Sequence, residues 1–238
     1  MLLDRRKLLV AGSGAGIATL LYGCGSSSDA QEQTPAASGA DTSETTGEVA
    51  LYDGSPIEPI DGQAINNPDG LQDRPLGGVN ANVTVIEYVS PTCPHCANFH
   101  VTVYPRLKEE YVDTGNVRWI VRPFRRNVLD LAVFMVAEAA GSAYHDVLSA
   151  YMASQNQWMT ADNPRQAIFE IAQQFGFTQE RFEEVLTDEE MFAALESMRE
   201  QALNQFGLLG TPTFYINGQR LESNATFEAL SSEIEARL

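Results

Sequence analysis

Two cysteines stand three residues apart in the tetrapeptide Cys93-Pro94-His95-Cys96. Residues i and i+3 share one face of a helix, so these two sulfurs can form a disulfide with little backbone movement. A ring of four residues would stabilise a fold by only about 2 kcal/mol, which is a weak reason for a structural staple at this spacing. The motif therefore favours redox exchange, with an inert structural disulfide as the alternative.

Proline at position 94 predicts where the helix begins, because proline favours the first helical position. Cys93 is then the N-cap, with its sulfur near the free backbone amides of His95 and Cys96. Lowering a thiol pKa from about 8.5 to about 5 needs roughly 5 kcal/mol, whereas a helix dipole contributes about 0.3–2 kcal/mol. We expect the amides and a partly cationic His95 to supply the rest. Cys93 is the predicted nucleophile, and Cys96, which faces the core, is the predicted resolving thiol.

Clustered cysteine and histidine can also bind zinc, which takes four ligands. His95 and His100 lie near the cysteines, but the chain has no second CxxC, and His145 is distant in sequence. We therefore predict no metal and no other cofactor, since the sulfurs themselves carry the electrons. His100 and His145 are expected to be structural residues with satisfied hydrogen bonds.

The charge balance excludes several partners. The 238 residues carry 15 Lys and Arg against 32 Asp and Glu, for a net charge of −17. Nucleic-acid binding requires clustered positive charge, so we expect no nucleic-acid partner. The same balance argues against electrostatic attachment to anionic lipids. No apolar run reaches the roughly 20 residues of a membrane span.

The elements around the cysteines have clear apolar patterns. Residues 83–89 are β-rich and almost continuously apolar, as in a buried central strand. From Cys96 onward, apolar residues recur every four positions and predict a helix, which Pro105 should kink. Residues 117–121 predict a second strand. This order is a βαβ start.

The rest of the chain is predicted to be helical and then to return to the sheet. Residues 127–206 carry four helical spacings, the last opened by a capping box at Thr187–Glu190 and closed by Gly207. Short strands around Asn217-Gly218 predict a hairpin, and residues 227–234 predict a final helix. The fold class is α/β: one sheet interrupted by an all-helical insertion.

The first residues resemble an export signal sequence. Residues 1–23 combine a basic stretch, Arg5-Arg6-Lys7, with a short glycine-broken apolar run, and we interpret them as a lipoprotein-type signal peptide. The end of that run resembles a lipobox and makes Cys24 the predicted lipidated residue. An ordinary cleaved signal with an incidental cysteine is the alternative, and Arg5-Arg6 weakly resembles a twin-arginine signal. Residues 24–55 are rich in Ser, Thr, Gly and acids, which predicts a flexible tether.

Residues from about 80 to 238 resemble the DsbA-like branch of the thioredoxin superfamily. The resemblance rests on the strand VIEYVS, the CPHC tetrapeptide, the helical insertion and the segment Gly210–Thr213. It implies a thioredoxin fold with an inserted all-helical subdomain over residues 56–238. The thioredoxin core would occupy about 80–125 and 207–238, and the insertion about 126–206.

The resemblance also implies roles for residues outside the CPHC motif. In this family the Thr211-Pro212 peptide would be cis and would lie against the sulfurs, where its backbone holds a substrate cysteine peptide and Thr211 tunes redox behaviour. Glu87 would lie beneath the disulfide and assist proton transfer at the resolving thiol. From the residues alone, Thr211-Pro212 could be an ordinary trans turn, and Glu87 could face water at a strand edge.

These features predict an exported thiol:disulfide oxidoreductase that donates or exchanges a disulfide through Cys93 and Cys96. The predicted partners are cysteine-containing exported proteins and a membrane redox partner that resets the disulfide state. We expect a monomer in the bacterial cell envelope, facing the periplasm and held only by a lipid anchor on Cys24. The alternatives are a reductase or isomerase kept reduced by a membrane partner, and a non-catalytic adaptor that binds peptides.

Overall fold

A computed structural model of the chain describes residues 71–238. Its centre is a single five-stranded sheet in the order β1-β3-β2-β4-β5. The strands are β1 (Leu76–Gly77), β2 (Val83–Val89), β3 (Val117–Pro123), β4 (Thr213–Ile216) and β5 (Gln219–Arg220). Strand β2 pairs in parallel with β3 and antiparallel with β4. Every residue of β2 is buried, which explains its almost continuously apolar sequence.

Helices surround the sheet and fill the gap between β3 and β4. They are α1 (Pro94–Thr102), α2 (Tyr104–Leu107), α3 (Val128–Ala139), α4 (Tyr144–Ala153), α5 (Gln155–Met159), α6 (Pro164–Gln173), α7 (Gln179–Val185), α8 (Glu189–Asn204) and α9 (Phe227–Glu235). Helices α3 to α8 form the insertion, and α9 follows the β4–β5 hairpin. The predicted fold class, an α/β thioredoxin fold with an all-helical insertion, is confirmed.

The helix that carries the cysteines breaks where the proline predicted a kink. Helix α1 ends at Thr102, and Val103 separates it from α2, in which Pro105 is the second residue. A π-helical turn continues to Val112. Proline has no backbone N–H to donate to the preceding turn, so the chain changes direction just before it.

The hairpin prediction is also confirmed. Asn217 and Gly218 have φ values of +46° and +81°, which suit a two-residue turn of the type that Asn-Gly favours. The side chain of Asn217 accepts a hydrogen bond from the backbone amide of Thr84 at 2.7 Å. The turn is therefore tied to the start of the central strand.

Two details of the insertion differ from the sequence prediction. The N-cap of α8 is Asp188, whose carboxylate accepts from the amide of Met191. The predicted cap, Thr187, instead bonds back to the carbonyls of Glu183 and Glu184 and so ends helix α7. Helices α5 and α7 were not predicted, because runs of five and seven residues are too short to show a clear helical period.

The two faces of the sheet bury different groups. On one face, Val85, Glu87 and Val89 point into the main core together with both cysteines, whereas Ile86 and Tyr88 point to the opposite face. The opposite face packs against the end of α8 and the segment after it. The side chain of Glu87 thus shares an apolar layer with the predicted redox site.

The predictions for the signal peptide (residues 1–23), the lipidated Cys24 and the tether (residues 24–55) lie outside the described residues. Within residues 71–238, no helix is both long enough and apolar enough to cross a membrane.

Candidate active site

Helix α1 begins as the sequence predicted. Cys93 is the N-cap, with φ −84° and ψ 120°, and Pro94 is the first helical residue. The amide of Cys93 donates to the carbonyl of Ser90 at 3.0 Å, which turns the chain from the end of β2 into the helix. The strand, the turn and the proline together fix where the Cys93 sulfur emerges.

The Cys93 sulfur lies among groups that stabilise a thiolate. A hydrogen bond from the Cys96 thiol is the main cause that lowers the Cys93 pKa to about 4, against the opposing effect of burial. The Thr211 side chain and the amides of Cys96 and His95 lower it further. These amides do not close a regular capping hydrogen bond with the sulfur, but they are aligned with the helix dipole and favour the anion. The predicted nucleophile is therefore the thiol that ionises readily.

The contribution of His95 differs from the expectation. Its backbone N–H is among the groups that lower the Cys93 pKa, and its imidazole is not. The side chain of His95 is exposed and lines the groove beside the cysteine. The local amides therefore contribute to the lowered Cys93 pKa, whereas the exposed imidazole is not among its causes.

Cys96 lies in the opposite environment, one turn further along α1. Its side chain is fully buried, and burial is the main cause that raises its pKa well above the ordinary value. The neighbouring Cys93 raises it again, and the charge of Glu87 adds to the effect. Both cysteines are free thiols in this structure. The second thiol is thus held protonated next to a first thiol that ionises readily.

Cys93 is less accessible than a surface nucleophile, because only 3% of the residue is exposed. However, its neighbours Pro94 and His95 are exposed. A groove of about 540 Å³ lies between the first turns of α1 and the loop after β5, and it is lined by His95, Thr211 and Pro212. The sulfur therefore sits just below the surface, beside this groove.

The peptide bond between Thr211 and Pro212 is cis, as the resemblance implied. In its thiol form, Cys93 donates from Sγ to the carbonyl oxygen of Thr211 at 3.2 Å. The Thr211 hydroxyl is buried and makes no hydrogen bond of regular geometry, yet it lies close enough to lower the Cys93 pKa. The predicted substrate-binding segment is therefore in direct contact with the predicted nucleophile.

Glu87 is fully buried at the centre of the sheet, so the alternative in which it faces water at a strand edge is wrong. Its two carboxylate oxygens have different partners. Oε1 lies 3.0 Å from Nε2 of His100, and Oε2 accepts from Nε1 of Trp119 at 3.2 Å. A buried carboxylate requires such partners to avoid a large desolvation cost.

Both His100 and His145 were expected to have satisfied hydrogen bonds. This expectation was wrong in part for His100, and for His145 a hydrogen bond is present at one ring nitrogen. The Nε2 atom of His145 is 2.6 Å from the carbonyl oxygen of Arg74. His100 instead contacts the buried carboxylate of Glu87, and its Nδ1 atom is buried without a hydrogen-bond partner. The hydroxyl of Tyr104 is also buried without a partner. The rings of Tyr104 and His100 lie 5.0 Å apart. The signal in the sequence was the spacing, since His100 follows Cys96 by one helical turn.

No group of three or more potential metal ligands occurs within residues 71–238. Comparison with known proteins identifies the fold instead. A family model described as thioredoxin matches residues 71–236, which include both cysteines and the cis peptide.

The chain belongs to the thioredoxin family.

The relatives place this chain in the DsbA-like branch. A Rickettsia bellii protein named "Putative protein-disulfide oxidoreductase" is 30% identical over 168 residues, which cover 68% of this chain and 63% of that protein. The "Probable disulfide bond formation protein D" of Bacillus anthracis is 28% identical over 177 residues, which cover 68% and 77% of the two chains. The crystal structure of Wolbachia pipientis alpha-DsbA1 superposes with a TM-score of 0.65 at 25% sequence identity. The superposition covers 69% of this chain and 90% of the Wolbachia chain. The chain thus spans less than two thirds of the Rickettsia relative.

The DsbA-like site also uses residues that the sequence did not single out. Asp130 in α3 and Gln155 in α5 are buried and hydrogen-bond to the loop that leads into Cys93. Asp130 carried the same signal as Glu87, an acid within an apolar segment. Gln155 carried none, because its helix was not predicted.

Proposed function

We propose that this protein is an exported thiol:disulfide oxidoreductase in which Cys93 and Cys96 form the reactive pair. The observation that carries the proposal is the unequal ionisation of two thiols one helical turn apart. The Cys93 pKa is lowered to about 4, while that of Cys96 is raised well above its ordinary value. Thiol–disulfide exchange requires one accessible, stable thiolate and one thiol that attacks or leaves within the protein.

In the oxidising direction the reaction begins with a disulfide between Cys93 and Cys96. A substrate thiolate attacks the Cys93 sulfur, a mixed disulfide forms, and the Cys93–Cys96 bond breaks. The electron pair of that bond leaves on the Cys96 sulfur, which then takes up a proton because its buried site disfavours the thiolate. A second substrate thiolate attacks the substrate sulfur of the mixed disulfide, and Cys93 leaves as a thiolate.

The overall step transfers two electrons. The substrate loses two thiol hydrogens and gains a disulfide, and the Cys93–Cys96 pair becomes reduced. A low thiol pKa makes Cys93 a good leaving group in the second step. It also stabilises the reduced protein, which makes its disulfide oxidising. The site therefore favours disulfide donation over reduction.

The groove beside Cys93 is the proposed binding site for the substrate cysteine peptide. The carbonyl of Thr211 lies 3.2 Å from the Cys93 sulfur, and Pro212 continues the same wall of the groove. An extended peptide can pair with this backbone and present its cysteine to the sulfur. His95 borders the groove from the helix side.

Glu87 is the proposed proton carrier for Cys96. It is buried in the same layer, and its negative charge already acts on the Cys96 thiol. His100 holds one oxygen of the carboxylate at 3.0 Å. The protonated carboxyl group can deliver its proton to the leaving Cys96 thiolate, and the resulting carboxylate can accept a proton from Cys96 in the reverse step.

The proposed location is the bacterial cell envelope, with the protein facing the periplasm and anchored by a lipid on Cys24. The support is the sequence of residues 1–24, which combines a basic start, an apolar run and a terminal cysteine. The proposed partners are cysteine-containing exported proteins and a membrane redox protein that restores the disulfide. Mass spectrometry of the native protein tests the anchor, because an acyl group on Cys24 would add a defined mass.

Redox equilibrium with glutathione tests the direction of transfer. The purified protein is equilibrated with mixtures of reduced and oxidised glutathione, and the fraction of the Cys93–Cys96 disulfide is followed. We expect the pair to remain mostly reduced even in oxidising mixtures, as for a disulfide donor. A strongly reducing potential would instead favour the reductase or isomerase alternative.

Loss of the nucleophile separates an enzyme from an adaptor. The Cys93→Ser variant should lose all thiol exchange with a reduced, cysteine-containing test protein. An adaptor would bind this test protein equally well with Ser or Cys at position 93. It would also show no thiol exchange when Cys93 is present. Native protein without exchange activity would overturn the proposed function.

A further inference from the structure

The loop that delivers Cys93 to the helix is held by side chains from the helical insertion. We define the active-site loop as residues 90–93. Gln155 in α5 donates from Nε2 to the carbonyl of Pro91 at 2.7 Å and to the carbonyl of Cys93 at 3.0 Å. The Cys93 carbonyl also accepts the first hydrogen bond of the helix, from the amide of Ala97. Gln155 thus touches the N-cap residue itself.

Asp130 in α3 holds the same loop through other atoms. Its carboxylate accepts from the hydroxyl of Ser90 at 2.8 and 2.9 Å and from the amide of Thr92 at 2.8 Å. It also accepts from the amide of Arg126 at 2.8 Å. Asp130 is completely buried and Gln155 is 7% exposed. Buried side chains with several hydrogen bonds to one loop hold its backbone in one conformation.

These contacts fix the dihedral angles of the N-cap residue, Cys93. The Cys93 sulfur lies near the amides of His95 and Cys96 only while φ and ψ of Cys93 keep their N-cap values. The amide of Cys93 is bonded to Ser90, and its carbonyl is bonded to Gln155. The residue is therefore fixed on both sides.

We propose that Gln155 and Asp130 are positioning residues, through which the helical insertion holds the active-site loop in the geometry that keeps the Cys93 sulfur at the start of α1. The inference rests on the proposed function, in which that sulfur is the nucleophile. It gives the insertion a role in the chemistry of the thioredoxin core. Without these contacts the loop can relax, and the sulfur moves away from the groups that stabilise its anion.

The first test replaces Gln155 with methionine, which has a similar length but no hydrogen-bond donor. Alkylation of reduced protein is measured from pH 3 to pH 9, and the midpoint of the Cys93 reaction is recorded. Loss of these hydrogen bonds should reduce the thiolate fraction of Cys93, measured at a fixed pH below the midpoint, by about 3- to 10-fold. Gln157→Met is the matched control, because Gln157 is exposed on the same helix.

A purely structural role predicts a different result. Gln155→Met would then lower the free energy of unfolding but leave the alkylation midpoint of the folded protein at the wild-type value, and that outcome would contradict the proposal. If Gln155→Met does not fold, Gln155→Asn keeps the amide on a side chain that is one methylene too short to reach both carbonyls. The same shift is expected for it, and an unchanged midpoint again contradicts the proposal.

The second test uses the sign of an electrostatic effect. Asp130→Asn removes a buried negative charge, which by itself would stabilise a nearby thiolate and lower the alkylation midpoint. A positioning role predicts the opposite, a rise in the midpoint relative to Asp146→Asn, an exposed control in α4. A fall would remove Asp130 from the proposal. Because alkylation needs no protein substrate, this inference can fail while thiol exchange by the native protein is still observed, and the reverse also holds.

Discussion

The two ends of the first turn of α1 contain the same side chain and give it opposite properties. At the N-cap, Cys93 meets a thiol donor, backbone amides and the Thr211 side chain, and its pKa falls to about 4. One turn later, Cys96 is fully buried and its pKa is raised, mainly because of that burial. Sequence spacing alone makes the two cysteines equivalent partners in a disulfide. Their surroundings decide which one attacks and which one leaves.

The difference shows that burial alone does not suppress ionisation. Cys93 is also shielded from solvent, with only 3% exposed, and burial by itself would raise its pKa. Hydrogen-bond donors outweigh that effect at the N-cap, because charge-assisted hydrogen bonds contribute roughly 1.5–3 kcal/mol each. At Cys96 the neighbouring sulfur and Glu87 both oppose the anion. The helix start therefore separates two adjacent thiols into distinct chemical roles.

The largest expected effect comes from removing each sulfur in turn. Cys93→Ser should form no mixed disulfide with a test protein that contains a disulfide, because Cys96 is buried and protonated. In Cys96→Ser the Cys93 thiolate should attack that disulfide, release one substrate thiolate and remain in a stable mixed disulfide, because the resolving thiol is gone. Non-reducing electrophoresis with the oxidised test protein distinguishes the two. Mixed disulfides in the Cys93→Ser variant would reverse the assignment of the two roles.

A smaller but specific effect is expected from Glu87→Gln. The amide keeps the shape of the side chain and can still bond Trp119, but it cannot carry the proton that Cys96 exchanges. We expect the disulfide to be reduced by a thiol substrate about tenfold more slowly at neutral pH, with an altered pH profile. Stopped-flow fluorescence measures the rate, and the exposed residue Glu109 provides the control, Glu109→Gln. Equal rates and pH profiles in both variants would exclude a proton-transfer role.

The lowered pKa of Cys93 also predicts how stability depends on pH. A group whose folded pKa lies below its unfolded value stabilises the fold above the unfolded pKa and loses this contribution as the pH falls through the folded pKa. The reduced protein should therefore lose several kcal/mol more of its free energy of unfolding than Cys93→Ala between pH 8 and pH 4, because each pH unit between the folded and unfolded pKa values contributes about 1.4 kcal/mol. Urea unfolding at several pH values measures this difference. Parallel curves for the two proteins would contradict the lowered pKa.

The smallest effect is expected at Thr211. The Thr211 side chain follows the Cys96 thiol among the groups that lower the Cys93 pKa. Thr211→Val keeps the shape but removes the hydroxyl, so the pKa should rise by about half a unit, since one unit corresponds to 1.36 kcal/mol. Absorbance of the thiolate near 240 nm follows the titration. A change larger than that caused by the loss of the Cys96 thiol would invert the order of the two contributions.

The sequence predicted the sheet and the helix start well, because each depends on local chemistry. Pro94 fixes the N-cap, and Asn217-Gly218 fixes the hairpin. The contacts of Asp130 and Gln155 with the active-site loop were not predictable, because they join segments that are distant in the chain. Asp130, for example, meets Ser90 across 40 residues. Such pairs depend on tertiary packing, which periodicity does not reveal.

The cis peptide at Thr211-Pro212 and the placement of Glu87 show what the family resemblance added. From the residues alone, a trans turn at Thr211-Pro212 was the preferred interpretation, and a solvent-facing Glu87 was an open alternative. The resemblance implied the arrangement that the structure shows, a cis bond against the nucleophile and a fully buried carboxylate. The expectation for the His95 imidazole differs from the structure. The backbone amide of His95 is among the groups that lower the Cys93 pKa, and the exposed imidazole is not.

The pH dependence of Cys93 alkylation in the reduced, native protein tests the central claim most directly. Each alkylated cysteine is identified by mass spectrometry after digestion. The structure predicts that Cys93 reacts with a midpoint near the pKa of about 4, while Cys96 remains unmodified at neutral pH. A Cys93 midpoint near 8.5, the value of a free thiol, or equal modification of both cysteines at pH 6, would contradict the account.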